Sequence, residues 1–232
     1  MSYWRDFWFG WQMKIGRYPV LYYALFAHRF PFNRLRVNRD TELCIEGFPR
    51  SANSYAVVAF KLVNPETKIA HHLHVPAQIR RAVALHIPAV LIIRKPEDAV
   101  SSFLIFQQSE KVDRYLRAYI EFYTALLPIM EKVLVVDFKL IVSDVNRMIQ
   151  AINQRFNRHY RLIDRLEERQ EEIFTKLEEY NQRFFGGGVH KSTLPHADRE
   201  RWKAEIKARV QQSPLLETAQ TIYERFLQRA VQ

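Results

Sequence analysis

Two apolar runs separated by a tight polar turn occupy residues 43–60 and restrict the fold more than any other feature. Residues 43–45 predict a buried strand and residues 56–60 a helix, and the turn between them reads Glu-Gly-Phe-Pro-Arg-Ser-Ala-Asn-Ser-Tyr. Such a turn directs backbone N–H groups and a helix N-terminus to one point, which suits a phosphate. The Walker pattern of Gly, four residues and Gly-Lys-Ser/Thr is absent, so an ordinary ATP or GTP site is not predicted.

Strand and helix patterns alternate through the middle of the chain. Strands are predicted at 42–47, 68–74, 89–93 and 132–136. Helices are predicted from the end of the loop to about 63, and at 76–85, 96–106 and 111–130. The β-branched run at 89–93 is typical of a parallel strand buried on both faces. This alternation predicts the α/β class, with an open parallel sheet and right-handed crossovers. From Val145 onwards the patterns are helical.

Residues 1–40 are predicted to form an aromatic and basic N-terminal arm, and residues 41–232 a single α/β domain. Trp4, Trp8 and Trp11 recur at helical spacing and are followed by Lys14 and Arg17. Three interpretations stay open for the arm: packing on the domain or on a second subunit, contact with a membrane surface, and a lid over an acceptor site.

Charge and cysteine content restrict the partners. The 35 Lys and Arg residues outnumber the 25 Asp and Glu residues, which gives a formal net charge of +10 and favours anionic partners. Nucleic acid is not predicted, because no nucleic-acid motif appears. The single cysteine, Cys44, allows neither an intramolecular disulfide nor a multi-cysteine metal site. We therefore expect a cytoplasmic protein, with peripheral membrane contact through the arm as an open alternative.

Three segments together resemble the sulfotransferase family. Residues 49–55 are similar to its 5′-phosphosulfate loop, which usually reads Pro-Lys/Arg-Ser-Gly-Thr/Asn-Thr-Trp/Tyr. Residues 91–102 are similar to its 3′-phosphate segment, in which a strand ends in Arg and a Ser follows eight positions later; here these residues are Arg94 and Ser102. Residues 133–144 are similar to the strand and acidic turn that follow. The resemblance covers residues 42–144.

The resemblance implies a compact, bacterial-type sulfotransferase with a three-layer α/β/α sandwich, a central parallel sheet like that of P-loop NTPases and helical C-terminal additions. Its donor would be 3′-phosphoadenylyl sulfate (PAPS), its product 3′-phosphoadenosine 5′-phosphate (PAP), and no metal is expected. The implied cofactor-binding residues are Arg50, Ser51, Ala52, Asn53, Ser54, Tyr55, Arg94, Ser102 and Lys191. Arg50 replaces the family's loop lysine and would also act in catalysis, on the leaving phosphate.

A histidine cluster supplies candidates for the general base. In cytosolic sulfotransferases a Lys-Thr-His-Leu segment carries this base about 22 residues before the 3′-phosphate arginine; His72 lies 22 residues before Arg94 (94 − 72) and is followed by Leu. On a strand, His72 and His74 would share one face, so either is a candidate, and His72 is preferred. Metal binding by His72 and His74 is the rival interpretation.

The sequence departs from the family pattern at three places. Ala52 replaces the loop glycine, from which we expect a backbone without positive φ at that position. Ala70 replaces a lysine near the sulfuryl group. The C-terminal Arg-Lys-Gly is represented only by the stretch around Lys191.

The sequence therefore predicts an enzyme that moves a sulfuryl group from PAPS to a hydroxyl or amine. The acceptor, whether a small molecule, a lipid or a glycan, and the oligomeric state are not predicted. Two alternatives stay open: a kinase-like phosphotransferase of the same superfold, and a non-catalytic nucleotide-binding or membrane-associated protein.

Overall fold

The computed structural model describes residues 2–26, 32–186 and 197–231, without the side chains of 2–8, 32, 184–185 and 197–201. The helices in chain order are α1 (Ser2–Ile15), α2 (Pro19–Leu25), α3 (Phe32–Leu35), α4 (Asn53–Val63), α5 (Pro76–Ala84), α6 (Pro96–Gln107), α7 (Val112–Thr124), α8 (Phe138–Ser143), α9 (Val145–Phe156), α10 (Gln170–Phe185), α11 (Ala197–Gln211) and α12 (Leu216–Leu227), with a 3-10 helix at Leu127–Lys132. The strands are β1 (Leu43–Gly47), β2 (Ile69–His71), β3 (Ala89–Ile93) and β4 (Leu134–Asp137).

Within the described residues the four strands form one parallel sheet in the order β2-β1-β3-β4. Cys44 of β1 pairs with Ala70 of β2 on one side and with Ala89 of β3 on the other. The chain runs from β1 to one neighbour and then crosses to the other, so the strand order reverses between β1 and β3. The predicted α/β class with a central parallel sheet is confirmed.

Alternating apolar residues give the sheet two buried faces. Leu43 and Ile45 of β1 face the cluster that contains α4, α8 and α9, whereas Cys44 faces the cluster that contains α5, α6, α7 and α12. Every residue of β1 and β3 is buried. The period of two in a strand sends successive side chains to opposite faces. Helices therefore cover both faces, as expected for a three-layer α/β/α sandwich.

Two predicted elements end earlier than the sequence patterns indicated. The predicted strand at 68–74 stops at His71, because the backbone amides of Leu73 and His74 donate to the Glu46 side chain instead of to a neighbouring strand. The predicted helix at 111–130 stops at Thr124 and gives way to the 3-10 helix that contains Pro128. Proline has no N–H for the preceding turn and cannot continue an α-helix.

The described part of the N-terminal arm packs on the sheet domain. Met13, Ile15, Tyr22 and Tyr23 are buried in the same cluster as α5 and α7. The predicted boundary at residue 40 stays a prediction. Among the residues that the structure describes, no helix has the length and apolar character needed to cross a membrane.

Candidate functional site

The loop after β1 and the residues after β3 lie at the carboxyl edge of the sheet, where the strand order reverses. In open α/β sheets, the crevice outside the strand ends at such a switch point is the usual ligand site. Residues 48–52 follow the last residue of β1 at this edge, and Arg94 follows the last residue of β3 at the same edge. The fold therefore brings the two predicted phosphate-binding segments to neighbouring positions.

The loop backbone is left-handed at two residues that are not glycine. Ala52 has φ 69° and Arg50 has φ 68°. The expectation that Ala52 would avoid positive φ is therefore wrong. The reason is the tightness of the turn, which the Asn53 side chain closes by donating from Nδ2 to the Phe48 carbonyl oxygen at 3.1 Å. A left-handed backbone costs an L-residue roughly 1–2 kcal/mol, which the surrounding packing must offset.

The N-terminus of α4 opens onto this loop. The first intrahelical bond runs from the Ala56 amide to the Ala52 carbonyl oxygen at 2.9 Å, and the alanine at the N-cap has no side chain that can accept a hydrogen bond. The N–H groups of residues 53–55 therefore lack helical acceptors, as at any helix start. Together with the partial positive charge of the helix end, these groups suit an anion.

Arg50, Arg94 and Ser102 form one connected group. Arg50 Nε donates to Ser102 Oγ at 3.2 Å, and Arg94 Nη1 donates to the Arg50 carbonyl oxygen at 2.5 Å. Ser102 is buried on α6, and both arginines are half-buried. The two segments that the sequence analysis singled out separately therefore meet, and they place two guanidinium groups beside the start of α4.

Aromatic side chains hold Arg94 in place. Its guanidinium carbon lies 4.0 Å from the centre of the Phe138 ring, and the Tyr119 hydroxyl donates to the Arg94 carbonyl oxygen at 2.7 Å. Stacking on an aromatic ring leaves the edge of the guanidinium able to donate to an oxyanion. The sequence analysis assigned a role to neither aromatic residue: Tyr119 lies outside the compared motifs, and Phe138 lies within residues 133–144 but was included only as part of a strand and acidic turn.

His71 at the end of β2, and His72 and His74 after it, form a cluster beside the loop. Ser54 Oγ lies 2.8 Å from His72 Nε2, and the Nδ1 atoms of His71 and His72 are 2.5 Å apart. His74 Nδ1 donates to the Gly47 carbonyl oxygen at 2.9 Å. Because a carbonyl oxygen only accepts, the neutral His74 ring carries its lone pair on Nε2. His72 can adopt either tautomer.

His72 and His74 approach the loop from a turn, which corrects the prediction that they share a strand face. Both have positive φ, 60° at His72 and 52° at His74. Burial lowers the pKa of His74 to about 4 and that of His71 to about 3, and it holds the pKa of His72 well below its usual value. All three rings are therefore neutral near pH 7, and their lowered pKa values make them weak bases in this state.

Glu46 is a site residue that the sequence analysis passed over. Its carboxyl group is fully buried and accepts from the amide of Leu73 at 2.7 Å, from the amide of His74 at 3.2 Å and from Gln78 Nε2 at 3.3 Å. Burial raises its pKa to about 8. The side chain thereby holds the turn that carries the histidines. The available signal was an acidic residue inside an otherwise apolar strand.

The remaining predicted residues have varied surroundings. Tyr55 is buried, with its ring centre 6.1 Å from that of Phe174 on α10, and Ser51 is buried in the loop. Lys191 lies outside the described residues, so its predicted phosphate contact stays a prediction.

Burial alone would raise the pKa of Asp98 on α6, but a 2.7 Å contact with Lys207 and nearby cationic charges hold it below its usual value.

We found no group of three or more His, Cys, Asp or Glu side chains arranged to hold a metal ion within residues 2–26, 32–186 and 197–231. The described part of the candidate site contains cations, hydroxyl groups, backbone N–H groups, neutral histidines and the buried Glu46. Such a set suits the binding of a phosphorylated anion beside imidazole nitrogens.

No protein-family model matches this sequence, and no curated protein matches it. Among solved structures, the crystal structure of mouse sulfotransferase SULT7A1 complexed with PAP aligns with a TM-score of 0.43 at 9% sequence identity. The alignment covers 81% of this chain and 90% of that chain.

Proposed function

We propose that the protein is a sulfotransferase that moves a sulfuryl group from PAPS to a hydroxyl or amine acceptor. The observation that carries the proposal is the contact between the loop after β1 and the segment after β3. Arg50 bonds to Ser102, and Arg94 bonds to the backbone of Arg50, at the switch point of the sheet. A donor with phosphates at its 3′ and 5′ positions needs two anion sites close together, and these two segments supply them.

In this proposal the 5′-phosphosulfate lies on the loop and on the start of α4. Backbone N–H groups of residues 53–55 and the hydroxyls of Ser51 and Ser54 would donate to its oxygens. Arg94 and Ser102 would hold the 3′-phosphate, where a guanidinium can form two parallel charge-assisted bonds. The contact between Arg50 and Ser102 would couple the two phosphate positions, so that one donor molecule fits both.

Transfer would break the bond between sulfur and the bridging oxygen of the 5′-phosphate and form a bond between sulfur and the acceptor oxygen or nitrogen. Negative charge then develops on the bridging oxygen, and Arg50 would stabilise it as a permanent cation. The acceptor's proton would pass to a neutral histidine, His72 or His74. His74 presents Nε2 as a lone-pair nitrogen, and His72 contacts Ser54 of the loop.

The proposal is tested by incubating the protein with PAPS and panels of phenols, alcohols and amines, and measuring PAP release. We expect release that requires both PAPS and an acceptor and that falls about 100-fold or more in Arg50→Ala. Arg225→Ala, which removes an exposed arginine on α12, is the matched control and should leave the rate unchanged.

Transfer from ATP with magnesium instead of PAPS would contradict the proposal and favour the kinase-like phosphotransferase. Binding of PAP without turnover on any acceptor class would favour a non-catalytic nucleotide-binding protein. The proposal includes a cytoplasmic location and specifies the acceptor only as a hydroxyl or an amine.

A further inference from the structure

Exposed large apolar side chains concentrate on a short segment of the N-terminal arm. Eleven such side chains occur among those that the structure describes, and five of them fall within the fifteen residues from 11 to 25. They are Trp11, Tyr18, Val20, Leu21 and Leu25. Scattered exposed apolar residues are normal on a protein surface, but clustering of this kind marks an interaction surface.

Helix α2 presents a wholly apolar outer face. Its exposed residues Val20, Leu21, Ala24 and Leu25 are spaced one and four apart and therefore share one side of the helix. The opposite side carries Tyr22 and Tyr23, which are buried. The helix contains no charged residue. We call the exposed side formed by these four residues the α2 face.

The sequence around the α2 face carries cations without acidic residues. Residues 7–39 contain no Asp or Glu and six Lys or Arg residues, namely Lys14, Arg17, Arg29, Arg34, Arg36 and Arg39. Lys14 and Arg17 are exposed between Trp11 and the start of α2. An apolar face flanked by basic residues is complementary to a surface that offers both anionic groups and hydrocarbon.

A cleft beside the α2 face adds a site for one anionic group. It has a volume of about 320 Å³ and is lined by Tyr23, Ala24, Arg36, Val37, Asn38 and Arg81. Ala24 belongs to both the cleft and the α2 face. The cleft therefore opens next to the apolar surface and presents two guanidinium groups.

Packing and hydrogen bonds preform the cleft. The Arg81 guanidinium carbon lies 4.3 Å from the centre of the Tyr23 ring. The Tyr23 hydroxyl donates to Gln78 Oε1 at 2.8 Å, and the Val37 amide donates to the same oxygen at 3.0 Å. A guanidinium stacked on a ring keeps its N–H edge directed outward, which suits a phosphate oxygen.

We propose that the α2 face and this cleft dock the protein on an anionic phospholipid bilayer, with Val20, Leu21 and Leu25 at the headgroup boundary and one lipid phosphate between Arg36 and Arg81. Residues 7–39 contain basic but no acidic residues, so an anionic bilayer is a more favourable partner for them than an uncharged surface. Lys14 and Arg17 lie beside the apolar residues and add attraction to the bilayer.

The test is co-sedimentation of the full-length protein with vesicles of phosphatidylcholine alone and of phosphatidylcholine mixed with phosphatidylglycerol. We expect binding to the mixed vesicles, weaker binding to phosphatidylcholine alone, and loss of binding as salt concentration rises. The double variant Leu21→Glu/Leu25→Glu should lower partitioning about tenfold or more. Leu85→Glu/Leu227→Glu alters exposed leucines outside the arm and should leave partitioning unchanged.

A second pair of variants tests the cleft. Arg81→Gln should lower partitioning into the mixed vesicles about fivefold, and Arg225→Gln, at an exposed position on α12, should lower it less. Equal losses in these two variants would overturn the phosphate site.

Three other results would overturn the docking itself. They are equal binding to both vesicle types, unchanged binding of the double leucine variant, and a change of oligomeric state by sedimentation velocity in that variant without vesicles. The last result would identify the α2 face as a contact between copies of the chain.

Discussion

Four of the eight non-glycine residues with positive φ in the described part of the chain lie in two segments of the candidate site. Arg50 and Ala52 in the loop, and His72 and His74 after β2, all have positive φ without being glycine. Each such residue costs free energy that the rest of the fold must offset. Four strained residues within one site indicate that the backbone path there is required by the site's geometry.

Ala52→Gly should raise the free energy of unfolding by about 0.5 kcal/mol. Glycine removes a left-handed cost of roughly 1–2 kcal/mol, and part of that gain is lost to the greater entropy of the unfolded chain. Ala151→Gly, in the interior of α9, is the control and should lower stability by about 1 kcal/mol. Urea denaturation measures both changes, and a loss of stability in Ala52→Gly would contradict the left-handed assignment.

The two candidate bases are separated by His72→Asn and His74→Asn, since asparagine tolerates positive φ. Replacing the base should lower kcat about 100-fold or more while leaving the dissociation constant of PAP unchanged. The other variant should keep most of its kcat. Steady-state rates and PAP titrations on both variants give the assignment, and full kcat in both would exclude His72 and His74 as the base.

The pKa of Glu46 predicts a pH dependence of stability. Burial raises this pKa from 4.5 to about 8 in the folded protein. For Glu46 alone, the folded state therefore binds more protons than the unfolded state, and this contribution to stability falls as pH rises from about 4.5 to about 8. The three histidines, whose pKa values are lowered by burial, contribute in the opposite direction below about 6.5.

The stability of the wild type relative to Glu46→Gln should fall over this range, whereas its stability relative to Glu179→Gln, at an exposed position on α10, should not change with pH. Urea titrations of the three proteins across this pH range measure the slopes. The same slope in Glu46→Gln as in the wild type would show that Glu46 has the same pKa in the folded and unfolded states.

At the scale of elements, the close approach of β1 and β3 brings together the two predicted phosphate-binding segments, which are the loop after β1 and the residues after β3. A Cβ atom at Gly47 would lie 2.5 Å from the Ile92 carbonyl oxygen and 3.1 Å from Asn53 Oδ1. Only glycine therefore fits where β1 ends and the loop begins.

Gly47→Ala should destabilise the protein by about 1–3 kcal/mol, because a backbone oxygen cannot move aside without separating the strands. Gly10→Ala is the matched control, since a Cβ there would meet nothing within 4 Å in the interior of α1, and it should stabilise by about 1 kcal/mol. Thermal unfolding compares the two variants. Equal effects would show that β1 and β3 can separate without cost.

The order of strands and helices followed from local patterns, whereas the end of β2 did not. The alternation of apolar residues in 43–45 and 89–93 depends only on neighbours in sequence, and both strands formed as predicted. The turn at His72 depends on a bond from Leu73 to Glu46, 27 residues earlier in the chain. Local periodicity does not contain information on such a contact, so the strand predicted at 68–74 was too long.

At the scale of the whole molecule, the sheet topology brings together site residues that are far apart in the sequence, which no single motif does. Arg50 and Ser102 are 52 residues apart, yet parallel strands whose carboxyl ends meet at one edge bring them to 3.2 Å. Their proximity was predictable once the sheet was parallel and both motifs followed strands. The contact between the Phe138 ring and Arg94 was not predictable, because residues 133–144 were compared only as a strand and an acidic turn.

In the proposed function, the net charge of +10 would attract a nucleotide donor to the whole surface, whereas discrimination between nucleotides would depend on the site. A general basic surface attracts PAP, AMP and ATP alike. Preference for a nucleotide that carries both a 3′-phosphate and a 5′-phosphate requires Arg94 and the loop at their observed separation.

Calorimetric titration with PAP tests the central claim most directly, using the wild type, Arg94→Ala and the control Arg225→Ala. We predict binding of PAP that is much tighter than that of AMP, about tenfold or more weaker in Arg94→Ala and unchanged in Arg225→Ala, because a charge-assisted bond to the 3′-phosphate is lost only in the first variant. Equal affinities for PAP, AMP and ATP, or equal PAP affinity in the wild type and Arg94→Ala, would contradict the account.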